Sequence, residues 1–210
     1  MLSILISFML IFTSSTEDLS SFEGSIEMVQ KSFYETSYFT YFVKNNKVRI
    51  DKFDRNHDIT QSIIVNVKEK QVYILSPEEK LYVKLNLGQN LSDIENKYTI
   101  LKTGNSRLVN GYKCYQWRVK NIEKNTEVAY WVWQNNFYLF SDLVKLLIKA
   151  DNTYCFFNEI PETYGFFPML SVERTLLRRE KLRTSVVNIN PQKLDVNRFN
   201  IPQDFEIMNN

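Results

Sequence analysis

Apolar and polar residues alternate with period two along most of this chain, which is the signature of half-buried β-strands. Gly24 to Lys31 sets Ile26 and Met28 against Glu27, and Phe33 to Val43 is aromatic on both alternations, with Phe33, Phe39, Tyr41 and Val43 against Tyr34, Tyr38 and Phe42. After an Asn45-Asn46 turn, Val48, Ile50 and Phe53 are set against Arg49 and Asp51. Strands are expected at Gln61 to Val67, Gln71 to Leu75 and Lys80 to Leu85, joined by links short enough for hairpins. A polar loop over Leu87 to Glu95, a strand over Tyr98 to Thr103 and a turn at Gly104 follow. Asn110-Gly111 is the dipeptide that best tolerates positive φ at both central turn positions, so it predicts a tight hairpin. The strand after it places Tyr115, Trp117 and Val119 on one face and Gln116, Arg118 and Lys120 on the other. Its partner, Thr126 to Trp133, is apolar on both alternations and calls for cover on both faces.

One segment changes to helical spacing. Ser141 reads as an N-cap with Asp142 in the first turn, and Leu143, Val144, Leu146, Leu147 and Ala150 form a wide apolar stripe opposite Lys145 and Lys149. The helix is expected over Ser141 to Ala150, with Asn152 as its stop. A turn-rich loop, Asn158 to Pro168, precedes two more strands, Ser171 to Arg178 and Lys181 to Ile189, turning at Arg179-Glu180. Phe199, Ile201 and Phe205 then predict a tail packed against the sheet. The fold class is α+β, mainly antiparallel: a strongly curved open sheet or half-barrel of about nine to eleven strands around one main helix.

The N-terminus is different material. Leu2 to Phe12 is almost unbroken apolar sequence, followed by Thr13-Ser14-Ser15-Thr16. At about 1.5 Å per residue this run is too short to cross a hydrocarbon core of roughly 30 Å as a helix. It suits a secretory signal over residues 1–16, although no Lys or Arg precedes it, and a single domain over residues 17–210 follows. The competing reading is a buried N-terminal strand or helix. The expectation is an exported protein of the periplasm or cell envelope, soluble after cleavage, with no transmembrane span in the mature chain.

Composition narrows the function. Phe 15, Tyr 12 and Trp 3 exclude a disordered chain, and a net charge of +2 gives no support for a nucleic-acid-binding surface. Cys114 and Cys155 fit an exported chain: they could pair if their Cα atoms lie within about 7 Å, or remain two unpaired thiols. With His57 as the only histidine, a structural zinc site is not expected, and no phosphate-cradling glycine loop suggests a cofactor. His57 sits in the polar loop Asp54 to Asp58 and reads as solvated; Cys114 has no histidine partner in a recognisable pattern, so no enzyme is expected. The basic cluster Arg174, Arg178, Arg179, Lys181 and Arg183 reads either as a solvated edge hairpin or as a patch for anionic headgroups or acidic partners.

Several short motifs recur in a defined order: Phe22-x-Gly24-x-Ile26, Lys47-x-Arg49-Ile50-Asp51, Val72-Tyr73 with Lys80-x-Tyr82, and Thr103-Gly104 leading to Asn110-Gly111-Tyr112-Lys113-Cys114. The tryptophan strand ending at Trp131 and Trp133, then Gly165-Phe166-Phe167-Pro168-Met169 and Phe199-Asn200-Ile201-Pro202, complete the set. Together they resemble the domain of unknown function 4412 family, exported bacterial envelope proteins whose fold is similar to lipoprotein carriers of the LolA and LolB type. The family contributes no catalytic residues. The resemblance implies a non-enzymatic carrier or binding protein holding a lipid or other hydrophobic ligand in the concave apolar face. Tyr38, Tyr41, Trp117, Tyr130, Trp131, Trp133, Leu143 and Leu147 are the expected lining. The competing expectation is a structural or interaction protein with a filled core, binding a protein partner through a sheet edge or the Arg174 to Arg183 hairpin.

Overall fold

Two meanders, in each of which strands pair with their sequence neighbours, are joined by one long-range strand pair. The computed structural model describes residues 22–87, 98–135, 137–151 and 153–208. The first meander comprises β1 (Gly24–Ser32), β2 (Thr36–Lys44), β3 (Lys47–Phe53), β4 (Ile59–Asn66), β5 (Gln71–Ser76) and β6 (Leu81–Lys84). The second comprises β7 (Tyr98–Val109), β8 (Tyr112–Asn121), β9 (Thr126–Gln134), β10 (Phe166–Thr175) and β11 (Glu180–Pro191). β1 and β11 pair antiparallel from Gly24 opposite Pro191 to Ser32 opposite Leu182, fusing the two into one 12-stranded sheet. Gly24 is required at that joint, because a Cβ there would collide with the Asn190 carbonyl oxygen. The twelfth strand, β12 (Glu206–Ile207), is a parallel addition to β6 from the tail, one strand beyond the expected range. The expected signal over residues 1–16, and the polar loop after Leu87, lie outside the described residues.

The Asn110-Gly111 turn forms as its chemistry dictates, with φ of 49° and 81° at the two central residues. Upstream of it the expected Gly104 turn is absent. β7 runs on through that position as a twelve-residue strand with a register irregularity between Lys102 and Ser106. Thr103 Oγ1 donates to the Gln116 carbonyl at 2.9 Å, holding the irregular stretch to β8, so the glycine accommodates a bulge instead of a reversal. At the β1–β2 turn, the Tyr34 and Glu35 N–H groups both donate to Ser32 Oγ. That local turn removes Phe33 and Tyr34 from the strand in which the alternation placed them and turns them to solvent. β10 begins at Phe166, inside the expected loop; Pro168 is tolerated there because the register breaks between Pro168 and Leu170.

The helix, α1 (Phe140–Leu147), starts one residue before the expected cap. Leu139 holds the cap position without a side-chain acceptor, and Ser141 falls inside the first turn. Burial of Phe140 outweighs the missing cap. The Ala150 and Asp151 N–H groups both return to the Leu147 carbonyl and end the helix before Ala150, while Asn152 lies outside the described residues. Phe140, Leu143, Val144 and Leu147 form its buried stripe.

The tail after β11 straps the opposite face of the first meander. Glu23 accepts from Lys44 Nζ at 2.6 Å and from the Leu194 N–H at 2.7 Å, and these two donors hold its carboxyl below the usual range. A 3₁₀ turn at Val196–Phe199 packs on β3, with Phe199 buried and the Arg198 guanidinium 4.2 Å from the centre of the Phe42 ring. Arg49 Nη1 donates to the Arg198 carbonyl at 3.2 Å.

Candidate functional site

The concave face of the sheet is where the aromatic strands converge. Strand register places Tyr41, Val43, Val48, Ile50, Ile63, Val65 and Val72 on it from the first meander, and Trp117, Val119, Val128, Tyr130 and Val132 from the second. The segment 137–160, containing α1, lies against this face and adds Phe137, Phe140, Leu143, Val144, Leu147, Tyr154, Phe156, Phe157 and Ile160 to the same cluster. The contacts are ring on ring: Tyr130 against Phe157 at 5.2 Å, Phe140 against Phe157 at 5.6 Å, and Phe140 against Phe167 at 4.7 Å. The concavity is thus occupied by the chain's own aromatic plug.

Among the expected lining residues, Tyr41, Trp117, Tyr130, Leu143 and Leu147 meet here, each at 5% exposure or less. Tyr38 and Trp131 do not, because each is an odd number of positions from an inward neighbour (Tyr41 and Tyr130) and so faces the other way. Tyr38 is 39% exposed and stacks on His57, whereas Trp131 lies under the Arg107 guanidinium at 4.0 Å. Trp133 is partly buried between Tyr112 and Phe137. A list drawn from aromatic content alone mixes the two faces; counting along β2 and β9 sets Tyr38 and Trp131 apart, whereas Trp133, on the same alternation as Trp131, reaches Phe137 near the end of its strand.

Among the described residues, the plug bonds to the sheet through Gln30 Nε2, which donates to Thr153 Oγ1 at 3.1 Å, and through the Tyr154 hydroxyl, which donates to Met28 Sδ at 3.8 Å. Just beyond the plug, Lys102 Nζ donates to the Pro161 carbonyl at 2.7 Å. Lys149 Nζ reaches the Asn86 carbonyl at 3.2 Å. Burial pushes the phenols of Tyr41, Tyr130 and Tyr154 well above their ordinary range, so these hydroxyls stay neutral.

Cys114 and Cys155 are free thiols; the pairing raised from sequence is not made. Burial pushes the Cys114 thiol up to about 11. At pH 8 its thiolate fraction is then roughly a hundredfold below that of an ordinary cysteine. Iodoacetamide is expected to spare Cys114 in the native protein and to modify it in urea, read by peptide mass spectrometry; rapid native modification would refute its burial. Among the described residues, no three His, Cys, Asp or Glu side chains converge to hold a metal ion. No helix among them is long and apolar enough to cross a membrane.

On the outer face, β8, β9 and β10 form an open pocket of about 470 Å³ that includes Arg118, Lys120, Glu127, Ala129, Val172, Arg174, Leu176 and Arg178. Arg118 is bonded to Glu127, and Arg174 lies 3.5 Å from Glu180. The Arg183 guanidinium is bidentate on Glu180 at 2.8 and 2.7 Å, which lowers the Glu180 carboxyl from its ordinary value, while Lys181 pairs with Glu173 at 2.7 Å. The basic cluster therefore divides: Arg174, Lys181 and Arg183 are neutralised in part, whereas Arg178 and Arg179 sit at the hairpin turn.

Residues 22–205 match a family described as a domain of unknown function, DUF4412. The chain belongs to that family. No curated protein matches it. Among solved structures, an uncharacterised conserved protein from Thermus thermophilus is 8% identical with a TM-score of 0.58, over 91% of this chain and 93% of that one. MucB in its complex with MucA from Pseudomonas aeruginosa is 11% identical with a TM-score of 0.53, over 90% of this chain and 58% of that one. MucB solved alone is 11% identical with a TM-score of 0.50, over 88% and 58%. At these identities the likeness is one of fold.

Within the DUF4412 family match, several of the quoted motifs prove to be structural. Gly24 makes the β1–β11 joint, Asn110-Gly111 the β7–β8 turn, and Arg49 with Asp51 an ion pair that fastens the tail.

Proposed function

We propose that this protein is an exported, non-enzymatic binding protein of the cell envelope that accepts a lipid acyl chain or similar apolar ligand on its concave face. The observation that carries this reading is the composition of the plug. Its hold on the sheet is mostly apolar and non-directional, so an acyl chain can substitute for it without leaving strand hydrogen bonds unmet. Burying about fourteen methylenes at ~0.8 kcal/mol each yields ~11 kcal/mol, which exceeds the ~8 kcal/mol for re-exposing Phe140, Leu143, Val144 and Leu147 of α1 at ~2 each. It does not exceed the ~18 kcal/mol for all nine plug residues, so the ligand displaces α1 and leaves the rest of the plug in place. The ligand would enter as α1 swings away, and the buried tyrosines would line the opened face.

Titration with a fluorescent fatty acid, together with native mass spectrometry of protein purified from membranes, tests this. Expected results are saturable binding, a change in tryptophan emission as Phe140 leaves the Phe157 ring that stacks on Trp117, and a co-purifying apolar ligand. Ligand-free protein that also leaves the fatty acid unbound would end the reading.

One observation favours a second reading, an interaction protein with a permanently filled core: the concave side chains are buried by the chain's own segment 137–160. MucB, a neighbour in fold, is known in complex with a protein, MucA. Protein that never takes a fatty acid but retains a specific protein partner through purification would establish this alternative.

A further inference from the structure

Three hairpin turns at one end of the sheet each hold up an apolar side chain into solvent. The β1–β2 turn presents Phe33 at 78% exposure and Tyr34 at 88%, the β10–β11 turn presents Leu177 at 90%, and the β8–β9 turn presents Ile122 at 66%. Such exposure is not an accident of loose loops, because the tips are bonded to one another. The Leu176 N–H donates to Asn125 Oδ1 at 3.2 Å, joining the β10–β11 turn to the β8–β9 turn. The Arg179 guanidinium lies 5.9 Å from the centre of the Phe33 ring, joining it to the β1–β2 turn. Within the β10–β11 turn the Arg178 N–H returns to the Thr175 carbonyl at 2.8 Å, with Arg178 held at a φ of 67°.

Positive charge surrounds these tips. Among the described residues, Lys31, Arg178 and Arg179 have no carboxylate partner. Lys31 stands directly opposite Arg183 across the β1–β11 ladder, and the Glu180 carboxylate is bonded to Arg183, which leaves Lys31 as the cation of that pair without a carboxylate. Arg118, Lys120, Arg174 and Arg178 continue the charge into the outer pocket, where Glu127 is the carboxylate in the lining. Glu35 and Glu123 are the acidic residues within the turns themselves.

We propose that this end of the sheet docks on an anionic phospholipid bilayer, with Phe33, Tyr34 and Leu177 entering the interface and Lys31, Arg178 and Arg179 meeting headgroup phosphates. Separate protruding tips suit a fluid interface, which closes around each one, whereas a folded partner would need a matching socket for every tip. Arginine and lysine stems beside the apolar residues can lie along the acyl boundary while their charges stay at phosphate level. The outer pocket gives room for headgroup phosphate beside Arg174 and Arg178. This surface is independent of whether the concave face takes a ligand.

Co-sedimentation of the purified protein with vesicles tests the proposal. Binding is expected to vesicles of phosphatidylglycerol mixed with phosphatidylcholine, to weaken with added salt, and to be at least tenfold weaker on phosphatidylcholine alone. Arg178→Asp with Arg179→Glu is expected to weaken binding about tenfold or more, since each cation near an anionic surface contributes roughly fivefold. Aspartate tolerates the positive φ at position 178, so the turn survives. Leu177→Ser with Phe33→Ser is expected to weaken binding about tenfold while leaving the salt dependence in place. All four positions are solvent-facing, and an unchanged melting temperature verifies the fold. Protein that stays in the supernatant with the anionic vesicles overturns the proposal, as does binding unaffected by both double variants. A protein partner captured by these tips without vesicle binding overturns it equally.

Discussion

Leu147→Ala is expected to tighten fatty-acid binding by about 30-fold while lowering the stability of the ligand-free protein. The two effects have one cause. Leu147 is 3% exposed on the inward stripe of α1, in the cluster that fills the concavity. Truncating a buried leucine costs ~2–5 kcal/mol, from the apolar burial that is lost and the cavity left behind. If α1 and ligand compete for one face, the ligand must first displace α1, and its apparent affinity is reduced by the scarcity of the open state. Weakening the closed state by even ~2 kcal/mol raises that affinity about 30-fold. A residue that lines a permanent pocket behaves oppositely, since its loss removes contacts. The measurement is a fluorescent fatty-acid titration of wild type, Leu147→Ala and Trp131→Ala. Trp131 faces away from the plug and should leave the affinity unchanged. Reduced affinity in Leu147→Ala would make the leucine a wall of the site, and binding absent in all three would leave the core permanently filled.

The same residue shows what the sequence made legible and what it hid. The 3.6 spacing from Leu143 to Leu147 identified an inward-facing helix, because periodicity reports which face is buried. It could not report what the helix is buried against, or how completely: that depends on Phe137, Phe156, Phe157 and Ile160, which lie in irregular backbone without a period to read. Hairpin order was legible because each meander pairs sequence neighbours. The β1–β11 joint was not, since its partners are separated by almost the whole chain, and only Gly24 marks the close approach. The exposed tips were concealed for a local reason. Phe33 and Tyr34 continue the alternation of β2, and only the Ser32 hydroxyl bonding two backbone N–H groups takes them out of the strand. The basic cluster was visible as composition, but its division into paired and unpaired cations required the positions of Glu173 and Glu180.

Asp51→Ala is expected to be among the most destabilising single changes on the outer face, by ~3–5 kcal/mol, because it strands a guanidinium under the tail. Asp51 is 3% exposed and Ser62 is fully buried. Asp51 Oδ1 accepts from Arg49 Nε at 2.7 Å and from Ser62 Oγ at 2.6 Å, while Arg49 Nη2 donates to Ser62 Oγ at 3.1 Å. Arg49 in turn holds the Arg198 carbonyl, so the network spans β3, β4 and the strap. Without the carboxylate, the arginine must leave its site, and the 3₁₀ turn that buries Phe199 loses its anchor. The double variant Arg49→Met with Asp51→Leu removes both charges and restores apolar volume beneath the tail; it is expected to recover most of the loss. Urea unfolding of the three proteins, with limited proteolysis of the tail, makes the comparison. If the double variant is as unstable as Asp51→Ala, the hydrogen bonds themselves rather than the unpaired charge stabilise the strap, and a single-variant loss below ~1 kcal/mol would mean that the tail is held by Phe199 and Leu194 alone.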